Sequence, residues 1–112
     1  MIRYSEMKDS IMLVSLEGSL EVGKQAKLKD DLIKIIPVTC STVVLDLSLV
    51  EFIDSACLGA LIGLTRSLRA KGGEVGLANP NTEVRSIFQI TRLDKIFKIY
   101  DSVDEALKQF SS

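Results

Sequence analysis

Thr42–Leu64, TVVLDLSLVEFIDSACLGALIGL, is the stretch whose reading decides the fold. Its first part, Thr42–Leu47, is a nearly continuous apolar run dominated by β-branched and aliphatic residues, as in a strand buried on both faces of a parallel sheet. Its second part changes period. Leu58, Leu61, Leu64, Thr65 and Leu68 recur at helical spacing, which predicts a helix over residues 55–70. Asp54 and Ser55 stand between the two. Ser55 is therefore expected at the mouth of a helix, where the first backbone N–H groups have no partner inside the helix. Its hydroxyl could cap that end. A phosphate ester there would also suit the unpaired N–H groups and the positive end of the helix dipole. The residues alone leave both readings open.

Working outward, the same change of period repeats. Lys71-Gly72-Gly73 supplies a helix stop, Glu74–Ala78 a short strand and Asn79-Pro80-Asn81 a turn. Thr82 is the expected cap of a helix running to Ile90, with Val84, Ile87 and Phe88 inward. Ile96–Tyr100 reads as a last strand, and Ser102 caps a final helix carrying Val103, Ala106, Leu107 and Phe110. Toward the N-terminus, residues 1–8 read as a weak strand and Ile11–Glu17 as a stronger one that Gly18 ends. Val22–Ile36 reads as a helix with Ala26 or Leu28, Leu32, Ile35 and Ile36 on its apolar face, closed by Pro37. Strands alternating with helices predict an α/β fold. The expected form is a single domain over residues 1–112: a mostly parallel sheet of about five strands, an antiparallel N-terminal edge turned at Asp9-Ser10, and about four helices. Sites in such sheets tend to lie beyond the carboxyl ends of the strands, which is where Ser55 falls.

Composition excludes several classes of function. The chain has 112 residues with 14 basic and 15 acidic side chains, a net charge of −1. Nothing basic is clustered, so no nucleic-acid partner is expected. There is no histidine, which removes the usual general base and the commonest nitrogen ligand for metals. Two cysteines, Cys40 and Cys57, are too few for a zinc cluster and are expected as buried thiols. Cys57 falls in the first turn of the 55–70 helix; packing is its expected role, with a thiol activated by the helix N-terminus the alternative. Asp46, Glu51 and Asp54 lie close in sequence. They read as a strand end and solvated loop acids rather than a cation site, so neither a metal nor a cofactor is expected. MIRYSEMKDS holds no long apolar segment, and Ala56–Leu64 is too short to span a bilayer. A cytoplasmic location without membrane insertion is the expectation.

Four elements carry a resemblance to a known family. Leu47–Gly59, LSLVEFIDSACLG, resembles the signature of STAS domains, and more narrowly that of bacterial anti-sigma factor antagonists. Gly18-Ser19-Leu20-Glu21, Lys71-Gly72-Gly73-Glu74 and Val84–Leu93 (VRSIFQITRL) resemble further elements of that family, in the same order. Departures are Glu21 for a more usual aspartate, Ala56 for a second hydroxyl residue, Cys57 for a glycine and Arg92 for a frequent glycine. The resemblance implies that Ser55 is a phosphorylation site. It implies a binding protein rather than an enzyme. The unphosphorylated form would hold an anti-sigma factor serine kinase and so release a sigma factor; the kinase would end the complex by phosphorylating Ser55, and a serine phosphatase would reset it. Glu21, Asp54, Ser55, Ala56, Cys57 and Gly59 are the partner-binding residues it implies. Because STAS domains also serve as unphosphorylated adaptors, a constitutive interaction or ligand-binding module is the alternative.

Overall fold

The computed structural model describes residues 1–21 and 23–111. Its elements run β1 (Ile2–Lys8), β2 (Ile11–Leu20), α1 (Gln25–Ile35), β3 (Thr42–Ile53), α2 (Ser55–Arg69), β4 (Glu74–Ala78), α3 (Thr82–Ile90), β5 (Lys98–Tyr100) and α4 (Val103–Ser111), with one turn of 3-10 helix at Leu93–Lys95. The strands form one five-stranded sheet in the order β1-β2-β3-β4-β5. β1 pairs antiparallel with β2 through the tight turn at Asp9, whose φ is +59°. The other neighbours pair in parallel. The expected fold class is thus the observed one.

Alternation along the strands sorts the core onto two faces. Val43, Leu45 and Leu47 join Val14 and Leu16 under α1, α2 and α3, where Leu28, Leu32, Leu61, Val84 and Phe88 close the larger core. Phe88 meets Phe97 edge to face at 5.6 Å, a favoured aromatic geometry. Val44, Ile11, Leu13 and Ala78 point the other way and are covered by α4 through Ala106, Val103, Leu107 and Phe110. Burial on both faces is why Thr42–Leu47 carries so few polar residues. No helix among the described residues is long and apolar enough to cross a membrane.

Several expected boundaries move. β2 does not end at Gly18 but continues to Leu20. β3 continues past Leu47 to Ile53. The two pair with each other beyond the reach of β4, through Glu17–Leu49, Gly18–Val50, Ser19–Phe52 and Leu20–Ile53. Register shifts flank this extension, and Gly18 takes a φ of +87° there, a conformation glycine adopts without steric cost. Helix α1 begins at Gln25, after Gly23 at φ +77°. The expected start at Val22 lies outside the described residues. Leu28 and Leu32 carry its buried face, while Ala26 is exposed. At the other end of the chain, the 3-10 turn shortens the expected 96–100 strand to Lys98–Tyr100.

Candidate functional site

The extension of β2 and β3 carries the chain to the site. β3 ends at Ile53, and the backbone N–H of Asp54 donates to the Leu20 carbonyl at 3.0 Å. That bond fastens the end of β3 to the end of β2, so Glu21 follows directly beside Asp54. Asp54 itself is extended, with φ −94° and ψ 175°, and its Oδ1 accepts from the Cys57 N–H at 2.9 Å. This is an N-cap: an extended residue whose side chain satisfies a first-turn donor.

The cap reading of Ser55 is therefore corrected. Ser55 is the first residue of α2 and already helical, whereas a capping side chain must come from the extended residue before the helix. Its side chain is exposed. Ala56 and Gly59 are exposed beside it, and a Cβ at Gly59 would meet nothing within 4 Å. The outer face of the first α2 turns is thus a low surface of small residues around one hydroxyl. The same correction applies at α3: Asn81, not Thr82, is its cap, accepting from the Val84 N–H at 2.7 Å.

Cys57 lies beneath this surface. Its side chain is fully buried, so of the six residues named as contacts it is the one that presents no area to a partner. Burial pushes its thiol up to about 11; a hydrogen bond to Asp54 and the charge of that carboxylate act in the same direction, as does Glu21, against an opposing effect of Lys24. The thiol stays protonated, which removes the alternative of an activated nucleophile. These contributions also place Glu21 and Lys24 in the electrostatic surroundings of the helix start. Lys24 Nζ donates to the Ser19 carbonyl at 2.8 Å, and Ser19 Oγ faces Glu51 Oε2 at 3.4 Å. The first bond ties Lys24 back to the end of β2, and the second joins Ser19 to the β3 extension.

The acids that lie close in sequence do not converge. Asp46 Oδ1 accepts from the Ser48 N–H at 3.0 Å, Glu51 faces Ser19, and Asp54 caps α2. Among the described residues no three histidine, cysteine, aspartate or glutamate side chains could hold a metal ion.

Asn81 is the residue the sequence reading missed. Besides capping α3, its Nδ2 donates to the Val50 carbonyl at 3.1 Å, which ties α3 to the side of β3 that β4 leaves open. An asparagine after a proline and before a helical period was the available signal.

With this geometry in place, comparison with known proteins is decisive. Residues 5–106 match the STAS domain family. The chain is a STAS domain. A Thermotoga neapolitana protein provisionally named as an anti-sigma factor antagonist is 43% identical over 67 residues, 60% of this chain and 59% of that one. The chain thus spans about three-fifths of that curated relative's length. The crystal structure of a Thermotoga maritima protein of the same provisional name superposes with a TM-score of 0.90 at 27% identity, covering 97% of this STAS domain and 94% of that chain. The Bacillus cell fate determinant SpoIIAA in its phosphorylated form shares the fold, with a TM-score of 0.71 at 23% identity and coverage of 95% and 96%.

Proposed function

We propose that this STAS domain is an anti-sigma factor antagonist switched by phosphorylation of Ser55. The observation that carries the reading is the division of labour at the start of α2: Asp54 makes the cap bond, and the next residue presents its hydroxyl to solvent. The relatives' names support an anti-sigma factor as the partner class; a kinase activity of that partner and an opposing serine phosphatase are what the family resemblance implies. The domain is then a substrate and a binding module, not an enzyme.

The chemistry is local. A phosphate ester on Ser55 adds about −1.5 to −2 charges near pH 7. The N-terminal N–H groups of α2 and its dipole accept an anion, so the domain keeps its fold. A partner surface fitted to a neutral hydroxyl beside Asp54, Ala56 and Gly59 meets like-charge repulsion and a desolvation cost instead. Binding is lost without a large conformational change. The low relief at Ala56 and Gly59 lets a second protein approach the helix backbone closely, and Glu21 borders the contact.

The test is incubation with the cognate anti-sigma kinase and ATP, followed by intact mass. One phosphate on the wild type and none on Ser55→Ala is the expected result. Ser55→Asp should weaken the complex about 10- to 100-fold, the scale of ordinary coupling free energies. If a kinase shown to be active and cognate adds no phosphate, and Ser55→Asp binds as the wild type does, the domain is instead a constitutive adaptor.

A further inference from the structure

A groove lies toward the other end of α2. The last turn of α1, the loop after it and the last turns of α2 enclose an open groove of about 300 Å³. Ile33 lines it from α1, Ile36 and Val38 from the segment that follows, and Leu64 from α2, with Lys71 at the rim. Leu64, Ser67 and Leu68 of α2 line the groove, which places it about 14 to 20 Å from Ser55 along the helix. The contact surface around Ser55 leaves it uncovered.

Two features distinguish the groove from ordinary surface. The first is exposure of apolar side chains that a core would otherwise take in. Ile33 is 55% and Val38 90% exposed, although both border a concave apolar lining. The second is the charge at its rim. Lys71 Nζ lies 3.3 Å from the Val38 carbonyl and 3.5 Å from the Cys40 carbonyl. These contacts direct the ammonium across the loop and leave one of its three donors for a further acceptor. No aspartate or glutamate lines the groove. An apolar trough with one cation at its rim, and the Ser67 hydroxyl also in the lining, is complementary to an apolar chain that ends in an anion.

We infer that this groove binds a single amphiphilic carboxylate, its acyl chain lying along Ile33, Ile36, Val38 and Leu64 and its carboxylate on Lys71. The volume is at the lower end of the range for small-molecule sites, which sets the ligand class as medium-chain rather than a whole lipid. The site is independent of Ser55, so phosphorylation and acyl binding can coexist.

The test is an NMR titration of the whole 15N-labelled chain with sodium hexanoate, octanoate and decanoate, each below its micelle concentration. Saturable shifts confined to residues 33–38 and 64–71 are expected. Affinity should rise about fourfold per added methylene, the equivalent of the transfer free energy of one buried CH₂. Lys71→Ala should weaken decanoate about tenfold and leave decanol unchanged. Val38→Asp, at an exposed position that the fold does not need, should abolish decanoate binding while the remaining spectrum is retained. Shifts that fail to saturate, spread over the surface or ignore chain length would overturn the site. So would decanol binding as tightly as decanoate, or co-sedimentation with phosphatidylglycerol vesicles without binding of free decanoate, which would assign the face to a membrane surface.

Discussion

Asp54 caps α2 and, in the proposed function, also borders the partner surface, and substitution can separate the two roles. Asp54→Ala removes the acceptor of the Cys57 N–H bond at 2.9 Å, the carboxylate at the helix N-terminus and the acceptor of the buried thiol. Loss of the cap costs about 1 kcal/mol. Loss of the charge from the dipole costs about 0.5 kcal/mol. The unpaired thiol, a weak donor, adds about 0.5 kcal/mol. The sum is about 2 kcal/mol. Asp54→Asn keeps an oxygen in place, and asparagine caps as well as aspartate, so only the dipole contribution of about 0.5 kcal/mol should go. Urea denaturation followed by circular dichroism reads the difference. With an m value of about 1.5 kcal/mol per molar, the midpoint should fall by about 1.3 M for alanine and about 0.3 M for asparagine. Equal losses for the two variants, or no loss for alanine, would refute the assignment of the cap to Asp54. Because Asp54→Asn keeps the fold, any weakening of the proposed complex with an anti-sigma factor in that variant would report the contact itself.

Other consequences follow from particular side chains. The Cys57 thiol lies near 11 in the folded chain against an ordinary 9.0, so the folded state holds its proton more tightly. Its contribution to stability is complete below pH 9 and is lost as pH rises through 11, by up to about 1.4 kcal/mol per pH unit. Wild type should therefore lose stability relative to Cys57→Ala across that window in paired urea titrations; parallel curves would contradict the buried, protonated thiol. Ser15 Oγ is buried with no hydrogen-bond partner among the described residues, so Ser15→Ala should leave stability unchanged or raise it by up to about 1 kcal/mol, measured by thermal unfolding. A Cβ at Gly73 would land on the carbonyl of Ser41, so Gly73→Ala should destabilise the domain by more than about 3 kcal/mol, visible as a collapse of the urea midpoint.

Much of this architecture is legible in the sequence. Strands and helices differ in the period with which they present side chains to a core, and 42–47 and 55–70 keep their periods cleanly. The position of Ser55 at a helix start followed from the switch between them. The strand ends and the caps differ from expectation for two separate reasons. Ser19, Ser48, Glu51 and Phe52 lie on the far side of the β2–β3 extension from the main core, or at its register shifts. Polar residues interrupt the apolar pattern there, and the strands look finished at Gly18 and Leu47 although hydrogen bonding continues to Leu20 and Ile53. Both caps were placed one residue late, on Ser55 and Thr82, because Asp-Ser and Asn-Thr each offer two competent side chains in succession. Backbone conformation selects between them: the extended member caps, and here that is Asp54 and Asn81.

By itself the amino-acid order determined the kinds and succession of elements, the parallel sheet and the neighbourhood of the hydroxyl, because periodicity and helix signals act over a few residues. Only the tertiary structure decided that Glu21 lies beside Asp54, that Cys57 is sealed while Ser55 is open, and that α1 and α2 leave an apolar groove toward the other end of α2. Those are relations between segments remote in sequence, and they are set by strand pairing and by which helix faces meet, which no local pattern encodes.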